Sequence, residues 1–520
     1  MANNSQGQLE ENNLVLIWNF DSKKKVKKLI LTSLSWLVFK KFVNQAIITL
    51  SNLILVRILF PQDFGMFAII QFTLTFFWVF ADLGLGRVII QMKEEPDKVL
   101  LRSIWWIHLF LALLIGALIW SLSPLILSFY GGELEKQAVG WLRILVFANI
   151  IGNLNSISPN LLERHLLYRR SVIGEVTGLF TTQYSTILFA IWGLGTASFV
   201  YAYTLSKIVQ LLVYYLLYPW PFGFSFNFNK LKSIFKLGLS FQLTTIVGLF
   251  NGAIIAVFIG RFPGPGHLSG AEAVGLITWA GGVAAVPSIL ASIIDQIVFP
   301  LMSRLQHNLK LAEKIFSKFM QIILISTFGL SSLVLVLSSE VTRFIYGQRW
   351  LDGLTSLNLA IIQTSLTAIN ALVVNTLLAL GEVKYYRNFY LIVSILQWIL
   401  TVPLVMIFGF WGVNLAMVIV SISTFVTLSR VYRYFTFSYL RIFIPPLILS
   451  ILTGLSILVL KSLYKVDNLI SLLAFLLFGL FLYTLLIYIF MKKEIIKDLV
   501  LVRSITLNYL SNKIFSKKGS

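Results

Sequence analysis

The residues of this chain with most capacity for chemistry are basic ones set in apolar sequence: Lys40, Lys41, Arg87 and Lys207. An ionisable group at membrane depth costs about 2.5–3.5 kcal/mol on insertion scales, so it faces a wet cavity or a partner. Such cations could line a cavity and hold an anion; phosphate oxygens suit them, because charge-assisted hydrogen bonds are strong. The alternative is that Lys40 and Lys41 snorkel to a membrane surface and Arg87 pairs with Asp82. Acidic residues in the apolar runs are few: Asp82, Glu163, Glu175 and Asp295. Asp295, flanked by Gln296, Pro287 and Pro300, could couple a proton or sodium ion, as could Asp82, or it could neutralise a nearby arginine. Glu175 could be an interfacial residue. Asn149 and Asn153 in one run, and Asn370 and Asn375 in another, could meet sugar hydroxyls or join helix to helix, at under about 1 kcal/mol per pair.

The elements that carry these groups must be membrane helices. Of the 520 residues, 58% are hydrophobic and 12% charged, against a soluble norm of roughly 25% charged. Runs such as Ser471 to Phe490 and Phe389 to Phe408 have the length that a hydrocarbon layer roughly 30 Å thick requires of one helix. Windows of that kind fall near 32–58, 65–90, 103–129, 139–161, 172–192, 196–217, 237–259, 274–300, 316–337, 354–379, 389–408, 411–430, 441–461 and 469–490, about fourteen spans with both termini on one side.

Charge supports this order, because Lys and Arg accumulate in short cytoplasmic loops. With the N-terminus inside, about thirty of the 42 basic residues fall inside. The net charge of +21 then reflects topology and contact with anionic head groups rather than nucleic-acid binding. The cluster Lys23, Lys24, Lys25, Lys27 and Lys28 flanks a retained first helix; a polar stretch with Glu10 and Glu11 precedes it, unlike a cleaved signal peptide. No cysteine is present and the four histidines are scattered, so neither a metal site nor a cofactor is expected.

The chain also repeats itself. Phe129-Tyr130-Gly131 precedes Trp141-Leu142-Arg143, and Ile345-Tyr346-Gly347 precedes Leu357-Asn358-Leu359; Arg57 leads into Gly65-Met66-Phe67, and Arg261 into Gly275-Leu276-Ile277. The period is roughly 205 to 216 residues, about six spans, a size from which many transporters are built.

Two segments carry a family resemblance. Arg57-Ile58-Leu59-Phe60-Pro61-Gln62-Asp63-Phe64-Gly65 looks like a signature that follows the first helix, and Ala81-Asp82-Leu83-Gly84-Leu85-Gly86 like the end of the second, in the Wzx-type oligosaccharide flippases of the multidrug/oligosaccharidyl-lipid/polysaccharide superfamily. Arg164, Tyr168 and Arg169, and Tyr346-Gly347-Gln348-Arg349-Trp350, resemble that family less specifically. Arg87 and the Gly/Pro-rich loop around Pro263 and Gly264 depart from its pattern.

The resemblance implies an all-α polytopic membrane protein of two six-helix lobes, MATE-like, plus two extra C-terminal helices, about fourteen in all. Its parts would be a cytoplasmic tail at 1–28, lobes at 29–218 and 219–430, a helix pair at 431–491 and a basic tail at 492–520. Also implied are a central cavity, alternating access, and as cargo a polyprenyl-diphosphate-linked oligosaccharide destined for O-antigen, capsule or exopolysaccharide. The cations would then hold the diphosphate. A bacterial inner membrane, cytoplasmic termini, a monomer and, as partner, a glycan polymerase or chain-length regulator go with it.

Two other functions compete. A cation-coupled multidrug exporter of the same fold would carry a carboxylate in its first helix, where this chain has Lys40 and Lys41; a pocket complements its cargo, so the sign favours an anion. A membrane glycan polymerase or ligase would need paired carboxylates or a sizeable outer loop. The longest outer loop here has only about fifteen residues, so no enzyme is expected.

Overall fold

The computed structural model describes residues 23–515 other than 93, 132, 133, 221, 222 and 437. Most of the expected N-terminal tail at 1–28 and the last five residues of the basic tail lie outside the described residues. All regular structure among the described residues is helical. With no water in hydrocarbon, a helix satisfies its backbone internally, which is why so apolar a chain takes this form.

The helices in chain order are α1 (Lys23–Ile58), α2 (Pro61–Trp78), α3 (Leu85–Gln91), α4 (Lys98–Ser128), α5 (Leu134–Asn153), α6 (Ser158–Arg164), α7 (Tyr168–Ile191), α8 (Ala197–Leu217) and α9 (Phe228–Ala253). They continue with α10 (Gly270–Ala284), α11 (Ile289–Leu305), α12 (Leu309–Val336), α13 (Leu354–Thr367), α14 (Asn370–Ala379), α15 (Val383–Phe408), α16 (Gly412–Ser421), α17 (Thr424–Val431), α18 (Tyr439–Leu463) and α19 (Leu469–Phe515). Ten stretches among the described residues are long and apolar enough to cross a membrane, or eleven if the bent pair α5 and α6 counts as one crossing. This falls short of the expected fourteen. The shortfall lies at α2, α7 and α9, which occupy expected spans but carry polar residues such as Gln62 and Gln71, Thr181 and Thr182, and Lys232.

Several expected spans are broken, and the breaks follow the repeat. The second expected span divides between α2 and α3, the eighth between α10 and α11; the fourth divides between α5 and α6 with a 46° bend, and the tenth between α13 and α14. Local sequence explains two of them: Pro159 follows the break before α6, and Pro287 sits in the tight turn before α11. A broken helix frees carbonyls that must find donors inside a membrane. Trp105 Nε1 donates to Leu154 O at 3.0 Å, and Thr364 Oγ1 to Ala284 O at 3.0 Å. The repeated Tyr-Gly pairs match as well: Gly131 and Gly347 have φ of 72° and 108°, a region open to glycine at little steric cost.

The described residues form two compact units, one of those up to Trp279 with Leu396–Val413, the other of Ala280–Ile395 with those from Asn414 onward. In the first, α2 and α10 cross with almost no space between their backbones. A Cβ on Gly65 would stand 1.6 Å from Ala271 O, and one on Gly275 would stand 1.8 Å from Pro61 O. Asp63 fixes the start of α2, accepting from Phe60 N at 2.9 Å and from Thr196 Oγ1 at 2.8 Å. In the second unit, α18 and α19 pack on α12: Tyr483 lies against Gly329 and donates to Ile325 O at 2.8 Å, and Leu333 lies against Gly479.

Candidate functional site

Lys40, on α1, is paired. Its Nζ lies 2.9 Å from Glu175 Oε2 on α7, and Ser171 Oγ, one turn earlier on α7, donates to Glu175 Oε1 at 3.2 Å. The Lys40 and Glu175 side chains are 23% and 34% exposed, so the pair is part-buried but open to exchange. Glu163, from α6, lies within electrostatic reach of both. Tyr214, from α8, closes this corner, its ring against Gly174 and its hydroxyl 3.4 Å from Ser171 O as donor. Lys41, next in sequence and half-buried, has no carboxylate partner among the described residues.

Lys207 lies on α8, a helix that packs, like α1, against α7. Its stem rests on Gly152 of α5, and its Nζ sits 5.0 Å from the centre of the Tyr203 ring, one turn earlier on α8. Such a cation–π contact contributes about 0.5–2 kcal/mol but leaves the charge free to meet an anion. Tyr203 in turn donates to Asn149 Oδ1 at 3.3 Å, and Asn149 Nδ2 donates to Leu145 O at 3.0 Å. Asn149 therefore joins α5 to α8 beside Lys207, and Asn153 lies one residue beyond the glycine on which Lys207 rests.

Arg87, on α3, lies within electrostatic reach of Asp82. Between them Gly84 takes a φ of 67° at the start of α3, and Gly86 packs so closely that a Cβ would stand 2.7 Å from the Asn160 amide. The second motif thus builds a tight turn and a close approach. Arg164 is also committed to structure: it donates to the carbonyls of Ile89, Met92 and Glu94 at 2.7, 2.8 and 2.8 Å. Beside it His165 bridges Glu95, at 3.3 Å, and the Tyr218 hydroxyl, at 3.0 Å.

In the second unit Asp295 of α11 accepts a direct hydrogen bond from the Asn375 amide of α14. The two were expected in different roles, ion coupling and sugar contact, and no arginine pairs with Asp295 among the described residues. Asn370 Oδ1 accepts from Thr427 Oγ1 of α17 at 3.5 Å. At the end of α17 Arg430 donates two hydrogen bonds to Glu382, at 3.1 and 3.0 Å, and Tyr434 donates to the same carboxylate at 2.7 Å. These hydrogen bonds hold the Glu382 carboxyl below its ordinary range. No cluster of metal-ligating side chains occurs among the described residues.

Sequence reasoning missed Glu175 as the counter-ion of Lys40 and Tyr203 as the seat of Lys207. The second was within reach, since Tyr203 precedes Lys207 by four positions and so shares its helix face.

Residues 54–355 match the family described as polysaccharide biosynthesis protein. The chain belongs to this family. The chain is 23% identical over 286 residues, 53% of this chain and 56% of the relative, to the teichuronic acid biosynthesis protein TuaB of Bacillus subtilis (strain 168). That match spans about half of TuaB. It is 22% identical over 423 residues, 77% of this chain and 83% of the relative, to the lipopolysaccharide biosynthesis protein WzxC of Escherichia coli (strain K12). Among solved structures the lipid II flippase MurJ in an inward closed conformation resembles it with a TM-score of 0.74 and 16% identity, over 89% of this chain and 100% of that one. At such identity the likeness speaks for the fold alone, that of an all-helical, multi-pass membrane protein.

Proposed function

We propose that the protein carries a polyprenyl-diphosphate-linked oligosaccharide from one leaflet of a bacterial inner membrane to the other by alternating access. The observation that carries this is the placement of Lys207: a cation within a membrane-spanning helix, seated on an aromatic ring, with no carboxylate partner among the described residues. A charge in that position is costly unless it meets water or an anion, and intramembrane charges mark transport paths. Lys40 and Lys41 on α1, which packs on the same helix α7, supply further positive charge. The family and the relatives in teichuronic acid and lipopolysaccharide biosynthesis favour a diphosphate-linked glycan as that anion.

The two six-span repeats, 29–218 and 219–430, are the halves that move, with 431–491 as an added helix pair. Both termini are cytoplasmic, the chain acts as a monomer, and a glycan polymerase or chain-length regulator receives the cargo. Asn153, whose place beside Gly152 puts it near Lys207, is the amide we assign to sugar contact. Asn149 is bonded within the protein, so it shapes the helices that present Lys207; Asn370 and Asn375 are bonded within the second unit, and Arg87 with Asp82, and Asp295 with Asn375, act as paired groups.

The test is translocation of a short polyprenyl-diphosphate sugar into vesicles holding the purified protein. Replacing Lys207 by Met, or Lys40 and Lys41 together by Gln, removes a charge-assisted contact of about 1.5–3 kcal/mol, so transport should fall roughly ten- to a hundredfold. Unchanged transport in all these variants overturns the assignment.

A further inference from the structure

We propose that Glu175 is an internal counter-ion of Lys40 that the diphosphate of the cargo displaces, and that the Glu163 and Glu175 carboxylates then take up one proton between them. The inference rests on the proposed function, since it takes Lys40 to be a ligand of the diphosphate.

Its ground is a conflict of partners. Lys40 lies 2.9 Å from Glu175, so a phosphate oxygen reaching the ammonium must compete with that carboxylate. An ammonium has three donors, yet at this corner it is the cation that compensates two carboxylates, because Glu163 lies within electrostatic reach of both Glu175 and Lys40. The groups facing the pair come from every helix packed there. Lys40 comes from α1, Glu163 from α6, Tyr168 and Ser171 from α7, and Tyr214 from α8. Arg170, on the same helix as Glu175, acts on Tyr218. The tyrosines and the serine stay neutral, so none of them can replace the lysine's charge.

When Lys40 turns to a diphosphate, Glu163 and Glu175 are left near one another without their cation in a part-buried corner. Two carboxylates sharing such a site do not both stay ionised: one binds a proton drawn from water. Ser171, already bonded to Glu175 at 3.2 Å, can accept from the protonated carboxyl by rotating its hydroxyl. No covalent bond forms or breaks; one diphosphate and one proton bind together. By linkage, the cargo binds more tightly as pH falls, and the empty carrier, with Lys40 neutralised by Glu175, bears less unpaired charge.

The experiment is calorimetric titration of the purified full-length protein with farnesyl diphosphate near neutral pH, in two buffers of different ionisation enthalpy, which counts protons taken up on binding. The wild type should take up about one proton per diphosphate. Glu175→Gln should bind at least as tightly with uptake well below that of the wild type, and Lys40→Met should bind about tenfold more weakly or worse. Binding by the wild type without proton uptake, with Lys40→Met still weakened, overturns the exchange and leaves the proposed function standing. Uptake unchanged in Glu175→Gln also overturns the exchange. Binding indifferent to Lys40 overturns the exchange alone, because Lys207 carries the proposed function; absence of binding to the wild type overturns both.

Discussion

At the scale of single residues, the account turns on which charges are committed and which are not. Arg164 and Arg430 are engaged with carbonyls and a carboxylate, whereas Lys207 rests on a ring and Lys41 meets no acid among the described residues. The sequence made the cations visible, because charge inside apolar runs stands out. It could not make their partners visible: Lys40 and Glu175 are 135 positions apart, and no helical period spans that distance. The Glu382, Arg430 and Tyr434 cluster yields a pH prediction. Its hydrogen bonds hold the Glu382 carboxyl below the ordinary carboxylate range, so their contribution to stability is fully present above that range and fades as pH falls through the depressed value. Melting of the detergent-solubilised protein should therefore show Glu382→Gln less stable than wild type near neutral pH, with the gap closing in acid. A gap that is constant with pH would show that the carboxylate's charge contributes nothing.

At the scale of elements, the apolar runs gave most helices and missed their interruptions. A window averages over twenty residues or so, and a break of two to six residues, as at 368–369 or 79–84, barely lowers that average. The repeat was legible in short matched segments, and the same segments meet in space: Gly65 and Gly275, matched in sequence, form the crossing of α2 with α10. The contact needs glycine on both sides, since backbone atoms cannot yield as a flexible side chain can. Gly65→Ala should cost about 1–3 kcal/mol or more through overpacking, read as a lowered melting temperature. Gly140→Ala on α5, where a Cβ meets nothing within 4 Å, should leave melting unchanged or raise it slightly, because alanine is the better helix former by about 1 kcal/mol. Equal melting of the two variants would remove the crossing as a structural constraint. Nothing in the sequence foretold that α18 and α19 dock on α12, since that contact rests on Tyr483 filling the space above Gly329.

At the scale of the whole molecule, composition and the distribution of basic residues were enough for a multi-pass helical protein, and the two N-terminal motifs pointed to polysaccharide export, in line with the polysaccharide biosynthesis family that the chain matches. The fold does not itself fix the cargo, because one superfamily fold serves many chemistries. The sign of the intramembrane charge does bear on it: a cationic path favours a cargo that carries an anion at its head. Cargo charge thus decides what is carried, and a single glycan on two carriers tests this. In vesicles, the wild type should move the sugar linked to polyprenyl diphosphate at least tenfold faster than the same sugar on an uncharged polyprenyl ether, a preference of about 1.4 kcal/mol or more; replacing Lys40, Lys41 and Lys207 should erase that preference. Equal transport of both carriers by the wild type would contradict the account.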